Sequence, residues 1–218
     1  MTPFRFLHSS DLHLGRAFGG YPEGIRHRLR EARHGVIARL AKAARDGGAG
    51  VVLLAGDTFD AETPAPDTLR QALSAMGEED DLTWVLLPGN HDSLAASELW
   101  RRIARASPAN LRVIASDAPV ALAPDHWLLP APCTQRRPGR DLTEAMSAPT
   151  PHGARRIRAW AWGDHRFLGR RRCPWHHPAR PGHALGSRLS RPWRLAWADA
   201  GDTYYLVFRN TRTGRVQA

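Results

Sequence analysis

Apolar residues in the first half of this chain form short unbroken runs that alternate with longer amphipathic stretches. Three of the runs are predicted strands, at residues 4–8, 51–55 and 84–87. Three of the stretches are predicted helices, at residues 25–45, 66–76 and 95–106. The second run is apolar throughout, which indicates a strand that is buried on both faces. The alternation of strands with helices predicts an α/β layered domain.

The pattern changes in the second half of the chain. Shorter strands are predicted at residues 111–114, 119–122 and 127–129, separated by proline and aspartate turns. From about residue 157 the helical periodicity disappears and tryptophan becomes frequent, with one last strand predicted at residues 203–208. We therefore divide the chain into a domain at residues 1–157 and an anomalous tail, rich in arginine and tryptophan, at residues 158–218.

The formal net charge of +10 is distributed unevenly between these two parts. Residues 1–157 contain 19 basic and 18 acidic residues, whereas residues 158–218 contain 12 arginines and 3 aspartates. A basic chain suggests a nucleic-acid partner, but here the excess charge lies almost entirely in the tail. Lys42 is the one lysine beside 30 arginines, a bias that a GC-rich coding sequence explains at least as well as selection for charge.

Several features favour a cytoplasmic protein with no membrane partner. No apolar run is long enough to span a membrane, and the chain begins with a predicted strand instead of a signal-peptide pattern. Cys133 and Cys173 are the two cysteines, which is typical of a reducing compartment. They provide neither a disulfide framework nor a thiolate zinc site.

A polar motif follows each predicted strand of the first half. The motifs are Asp11-Leu12-His13, Gly56-Asp57-Thr58-Phe59-Asp60 and Gly89-Asn90-His91-Asp92. Because ligands at the carboxyl ends of successive parallel strands converge in one crevice, we expect these side chains to meet. The members able to bind hard or borderline metal ions are Asp11, His13, Asp57, Asn90 and His91. This is the pattern of a two-metal hydrolase.

The residue types indicate how such a site would divide its tasks. Asp11 and His13 alternate along a strand end, so both reach one ion only where the chain bends, and Gly15 permits such a bend. A carboxylate at Asp57 can bridge two cations, and Asn90 can offer its side-chain oxygen to the second. Ligands of oxygen and nitrogen without thiolate suit Mn²⁺, Fe or Zn²⁺. We expect two divalent metal ions, with Mn²⁺ favoured.

The candidate catalytic residues are His91 and Asp92. His91 would stand beside the metals with a free ring nitrogen, suited to protonating a leaving oxygen. Asp92, or a backbone carbonyl, would fix the tautomer of His91. Asp60 is a supporting residue for the loop or for the metal ligands.

The three motifs resemble the D-x-H, G-D-x-x-D and G-N-H-D/E blocks of the calcineurin-like metallophosphoesterase superfamily. Residues 7–16 and 55–60 are similar in particular to the SbcD-type DNA repair exonuclease branch. The resemblance covers roughly residues 3–155 and implies a four-layer αββα sandwich and an ATPase partner subunit. It implies that Asp11, His13 and Asp57 bind the first metal. Asp57 and Asn90 would bind the second, with His91 acting at the leaving group.

The superfamily pattern also requires later histidines at strand ends, and the tail supplies none in that setting. We hypothesise that residues after about 157 are an out-of-frame translation caused by an inserted base. Tryptophan has the single codon TGG, so reading one base later always gives glycine. Ala161-Trp162 can then encode His-Gly, and residues 189–198 an apolar strand that ends in a G-D-x-H block. The alternative is a genuine basic extension.

The sequence predicts a metal-dependent enzyme that hydrolyses phosphodiester bonds through a water activated by two metals. The favoured substrate is DNA, and the favoured role is DNA repair. A nucleotide or small-molecule phosphoesterase is the alternative within this class. The alternative outside the class is a catalytically incomplete, basic nucleic-acid-binding protein. Its arginine-rich tail would make salt-dependent contacts with phosphates.

Overall fold

The first sheet of the protein consists of four parallel strands. The structure is a computed structural model that describes residues 4–161 in full and only the strand backbone at residues 193–199, 203–210 and 216–217. The strands of this sheet are β1 (Phe6–Ser9), β2 (Val51–Ala55), β3 (Thr83–Leu87) and β4 (Leu111–Val113), in the order β1-β2-β3-β4. All pairs are parallel, so the carboxyl ends of β1, β2 and β3 lie at one edge.

Four helices connect these strands. They are α1 (Glu23–His34), α2 (Val36–Asp46), α3 (Pro66–Gly77) and α4 (Ser97–Ala106). The single helix predicted at residues 25–45 is therefore wrong, because the chain divides at Gly35, a residue of low helix propensity. The two halves also differ in packing, since α2 buries Ile37, Ala41 and Ala44 whereas α1 buries no residue. Among the described residues, no helix is both long and apolar enough to cross a membrane.

A second sheet faces the first. Its strands are β5 (Val120–Ala123), β6 (His126–Ala131), β7 (Arg155–Trp160), β8 (Trp193–Asp199), β9 (Thr203–Asn210) and β10 (Val216–Gln217). The order is β10-β9-β7-β6-β5, with β8 paired to β9. The strand predicted at residues 203–208 lies within β9. β7 was not predicted; it crosses the boundary placed at residue 157, and that division into two domains stays a prediction.

The two faces of β2 explain why its sequence is apolar throughout. Val52 and Leu54 pack against the helices, whereas Leu53 and its neighbours on the other face pack against the second sheet. On the outer side of that second sheet, a 3₁₀ helix at Thr143–Ser147 places Met146 against Leu129. The predicted α/β layered fold, with two sheets stacked on each other, is confirmed.

Candidate metal centre

The loops after β1, β2 and β3 are joined to one another at the carboxyl edge of the first sheet. The backbone N–H of Asp11 donates to the carbonyl of Gly56 (3.1 Å), and that of His13 donates to the carbonyl of Asp57 (2.9 Å). The third loop joins through the N–H of His91, which donates to Oδ1 of Asp57 (2.8 Å). The predicted convergence of the three motifs is therefore present, and Asp57 lies at its centre.

Three of the candidate ligands have backbone conformations that non-glycine residues rarely adopt. The φ angles are +57° at Asp11, +45° at His13 and +53° at Asp57. Left-handed backbone at Asp11 and His13 supplies the bend that the sequence requires, because side chains along a regular strand end would alternate in direction. Gly15 continues the bend with a φ of +88°. Strain of this kind clusters at functional sites, where the surrounding structure holds it in place.

The ligand atoms form two overlapping groups. The donor atoms of Asp11, His13 and Asp57 all lie within 4.8 Å of one another, as do those of His13, Asp60 and His91. Nε2 of His13 lies 3.7 Å from a carboxylate oxygen of Asp11, and Nδ1 lies 3.0 Å from one of Asp60. Carboxylate oxygens and imidazole nitrogens without thiolate are the donor set of Mn²⁺, Fe or Zn²⁺. The residues present therefore fit a divalent metal site.

Electrostatics in this cluster favour a bound cation. Burial raises the pKa of Asp57, and the charge of Asp11 raises it further. The hydrogen bond from the backbone N–H of His91 lowers it. The contact with His13 holds the pKa of Asp11 below its usual value. The same contact raises the pKa of His13, against the effect of its burial. A cation between the carboxylates would relieve the mutual repulsion of Asp11 and Asp57.

Two glycines allow the loops to approach this closely. A Cβ atom at Gly89 would lie 2.2 Å from Oδ1 of Asp57, and a Cβ at Gly56 would lie 2.3 Å from the Cβ of Ala161. Ala161 directly follows β7. The end of a strand from the second sheet therefore meets the same edge of the first sheet, beside Asp57.

His91 is oriented by backbone. Its Nδ1 lies 2.8 Å from the carbonyl oxygen of Asp60, so the tautomer that fits this contact carries its proton on Nδ1. Of the two partners that the sequence left open for this nitrogen, the carbonyl is therefore the one present. The ring meets that of His13 edge-on, with centroids 4.7 Å apart. This leaves Nε2 as the ring atom able to exchange a proton with a bound molecule.

The contacts of Asp92 differ from the predicted contact with the ring of His91. Its side chain is fully buried and accepts hydrogen bonds from the backbone N–H groups of Gly89 (2.7 Å), Phe59 (3.0 Å) and Asp57 (3.2 Å). Burial raises its pKa to about 6, against the effect of these bonds. A catalytic role for Asp92 stays a prediction, and its enclosed carboxylate favours positioning of the loops over contact with substrate.

Asn90 and Asp60 are the remaining predicted residues. Asn90 is half-buried between Gly89 and His91, and its role as a metal ligand stays a prediction. Asp60 faces His13 and lies 3.9 Å from Nη1 of Arg16. Sequence reasoning missed Arg33, which donates to the carbonyl of Leu12 between Asp11 and His13. Its position in a predicted helix gave no signal of that contact.

Comparison with known proteins places the chain in a class. Residues 4–172 match the calcineurin-like phosphoesterase family, so the chain belongs to that family of hydrolases acting on phosphoric ester bonds, which use divalent metals. The predicted family and the predicted enzyme class are confirmed.

Individual relatives are similar over parts of the chain. The SbcD component of the nuclease SbcCD from Bacillus subtilis (strain 168) is 33% identical over 92 residues, which are 41% of this chain and 22% of that protein. The chain thus matches about a fifth of the length of this relative. The crystal structure of Pseudomonas putida nuclease MPE is similar with 24% identity and a TM-score of 0.37, covering 70% of this chain and 59% of that one.

Proposed function

We propose that this protein is a metal-dependent phosphodiesterase that hydrolyses DNA through a water activated by two metal ions. The observation that carries the proposal is the convergence of Asp11, His13 and Asp57, whose donor atoms lie within 4.8 Å of one another at one sheet edge. Two divalent cations held there would supply Lewis acidity, lowering the pKa of a bound water toward roughly 7 and stabilising negative charge on the phosphoryl group. We propose Mn²⁺ as the favoured ion.

In this proposal the ligands divide between two positions. Asp11, His13 and Asp57 would hold the first ion, and Asp57 and Asn90 would hold the second. The N–H of His91 donates to Oδ1 of Asp57 and so fixes the orientation of that carboxylate. Asp92 keeps the backbone of the same loops in register. A carboxylate with this role would need such fixed geometry, because small displacements of reacting groups reduce rates strongly.

His91 is the proposed general acid. The contact of its Nδ1 with the carbonyl of Asp60 leaves Nε2 to protonate the leaving oxygen as the P–O bond breaks. A placed general acid typically contributes about 10²–10⁴ in rate. The ring of His13 meets this ring edge-on, and the donor atoms of His13, Asp60 and His91 lie within 4.8 Å of one another.

DNA as substrate, a role in repair and an ATPase partner are the more specific parts of the proposal. They are supported by the similarity of residues 7–16 and 55–60 to the SbcD-type branch and by the partial match to a nuclease component. A nucleotide or small-molecule phosphoesterase is the alternative within the family. The two are separated by comparing hydrolysis of a DNA strand with that of free nucleotides.

The proposal is tested by Mn²⁺-dependent hydrolysis of bis-p-nitrophenyl phosphate. We expect Asp57→Ala and His91→Ala each to lose at least about 100-fold in kcat/KM, with Arg105→Ala as a control at the opposite edge of the sheet. Titration calorimetry with Mn²⁺ gives a second readout, in which Asp57→Ala but not His91→Ala loses binding. Undiminished hydrolysis in Asp57→Ala would show that another site does the chemistry.

A second candidate function is nucleic-acid binding without hydrolysis. The 12 arginines against 3 aspartates in residues 158–218 favour it. Replacing Arg170, Arg171 and Arg172 by glutamine distinguishes the candidates. A binding protein would lose affinity for DNA and show no metal-dependent turnover before or after the change, whereas a phosphodiesterase would keep its hydrolysis of the small diester.

A further inference from the structure

The loop that joins β1 to α1 contains a second group of constrained residues, next to the candidate metal ligands. Four non-glycine residues among those described have positive φ angles, and three of them are candidate ligands. The fourth is Phe18, with a φ of +55°. A bulky side chain at such an angle is an outlier that the surrounding structure must hold in place. The loop is therefore constrained to one particular shape.

The contacts of Phe18 show what holds that shape. The guanidinium carbon of Arg33 lies 5.1 Å from the centre of the Phe18 ring, and that of Arg16 lies 6.0 Å from it. The backbone N–H of Tyr21 donates to the carbonyl of Phe18 (3.0 Å), and Arg30 donates to the carbonyl of Ala17 (3.1 Å). The loop thus holds two guanidinium groups against one aromatic ring.

This arrangement concentrates positive charge beside the metal ligands. Burial lowers the pKa of Arg33, and the nearby charge of Arg16 lowers it further, while Asp60 acts in the opposite sense. Asp60 also faces His13, so its single carboxylate is shared between the imidazole of His13 and the guanidinium of Arg16. The side chain of Arg16 is 51% exposed and therefore accessible to an anion from solvent. A phosphate next to the metal site would relieve the repulsion between the two arginines.

Exposed apolar surface lies at the end of the same loop and in the first turn of α1. Among the residues that the structure describes in full, the large hydrophobic side chains with high exposure are Tyr21 (53%) and Ile25 (47%). The Tyr21 ring meets Phe18 at 69°, with centroids 6.3 Å apart, and so extends the aromatic surface outward. An aromatic ring beside arginines is the combination that binds single-stranded nucleic acid, because bases stack on rings and phosphates pair with guanidinium groups.

We infer that Arg16, Phe18, Tyr21 and Arg33 form a binding surface for the nucleotides next to the scissile phosphate of a single DNA strand. This inference rests on the proposed function, which it extends from phosphodiesters in general to single-stranded DNA. Tyr21 stacks on a base, and Arg16 pairs with a flanking phosphate. Phe18 and Arg33 are positioning residues that hold the loop and direct Arg16 toward Asp60 and the metal ligands.

The test measures binding of the full chain to a fluorescent, short oligothymidylate by anisotropy, with EDTA present so that no hydrolysis occurs. We expect Tyr21→Ala to weaken binding roughly 5- to 100-fold and Tyr21→Phe to retain it, since phenylalanine keeps the stacking face. Arg16→Ala should reduce the slope of log Kd against log salt by about 0.7, and Arg16→Lys should not. Residues 158–218 are present in every variant, so a difference between two variants is assigned to the substitution.

Arg105→Ala is the matched control. Arg105 is exposed in the last turn of α4, and α4 leads from the carboxyl end of β3 to the amino end of β4, so this turn lies at the sheet edge away from the metal ligands. Unchanged binding in Tyr21→Ala, or equal weakening in Arg105→Ala and Arg16→Ala, would overturn the inference. The proposed function fails separately, if Asp57→Ala retains hydrolysis of bis-p-nitrophenyl phosphate.

Discussion

At the scale of single residues, the candidate metal centre depends on backbone positions where side-chain atoms have no room. Gly89 is the clearest case, because a Cβ there would lie 2.2 Å from Oδ1 and 2.3 Å from the backbone nitrogen of Asp57. Neither atom can move freely, since Oδ1 accepts the N–H of His91 and the nitrogen donates to Asp92. The glycine of the third motif is thus a requirement for placing Asp57, independent of any ligand that the motif supplies.

We therefore expect Gly89→Ala to displace Asp57 and to reduce hydrolysis of bis-p-nitrophenyl phosphate by about 100-fold or more. The free energy of unfolding should fall by about 1–3 kcal/mol, as for other substitutions that overfill a packed site. Gly50→Ala is the control, because Gly50 precedes β2 at its other end and a Cβ there meets nothing within 4 Å. Equal activity in the two variants would contradict this account of Gly89.

A second residue-scale prediction concerns His8 in β1. Burial lowers the pKa of His8 to about 4, against the effect of Asp11. Below the ordinary pKa of 6.5 the unfolded chain binds a proton here that the folded chain does not. The free energy of unfolding therefore falls as pH decreases from 6.5 toward 4. Between about pH 7.5 and pH 5, the loss amounts to about 2 kcal/mol.

His8→Gln should remove this dependence while keeping a polar side chain of similar length. The measurement is urea unfolding of the metal-free protein at the two pH values, for the wild type and for the variant. Asp57 and Asp92 have raised pKa values and act in the opposite direction, but they are present in both proteins. If both proteins lose the same free energy of unfolding on acidification, His8 is not the group responsible.

At the scale of elements, the connections on the helical side of the sheet are held by partly buried polar contacts. Asn110 precedes β4, and its Nδ2 donates to the carbonyls of Met76 (2.9 Å), Glu79 (2.9 Å) and Leu82 (3.1 Å). The backbone carbonyl of Asn110 accepts a hydrogen bond from the backbone N–H of Trp84 (2.8 Å). Asn110 therefore joins the end of α3, the turn after it and the start of β3.

Asn110→Asp should reverse these contacts, because a carboxylate oxygen would face three carbonyl oxygens in place of a donor. We expect the free energy of unfolding to fall by about 2–4 kcal/mol, with the deficit reduced at low pH where the carboxyl is protonated. Chemical denaturation measures the free energy of unfolding. Asp117→Asn, the reverse substitution at an exposed turn, is the control. A variant as stable as the wild type would show that the amide contributes no net free energy.

The strands differ in how well the sequence predicts them. β2 was predicted to the residue, because both of its faces are buried and no polar residue interrupts the run. β7 was missed because Arg155, Arg156 and Arg158 give it a polar sequence, although Ile157 is buried. The convergence of the three motifs followed from parallel strand ends alone. The contacts of Arg16, Phe18 and Arg33 depend on the shape of one loop, which no periodicity encodes.

At the scale of the whole molecule, the end of β7 bears on the origin of the tail. The strand brings residue 161 beside Gly56, at the edge that holds the candidate ligands. The residue there is alanine, which has no side-chain atom able to bind a metal. We propose that the reading frame changes near residue 157, because one base later the codons of Ala161-Trp162 can encode His-Gly. A histidine at this strand end would stand next to Asp57.

Sequencing the coding DNA tests this directly. We expect codon 161 to be GCA, and the frame one base later to run without a stop through the codons of residues 189–198 and to encode an apolar strand that ends in Gly-Asp. Deleting one base near codon 157 should then give a chain that binds Mn²⁺ more tightly and hydrolyses bis-p-nitrophenyl phosphate faster than the present one. That gain should disappear when the new histidine is replaced by alanine, because the added ligand is its physical cause. A stop codon early in the shifted frame would instead establish residues 158–218 as a genuine basic extension, and the incomplete strand end at Ala161 would then be a property of this protein.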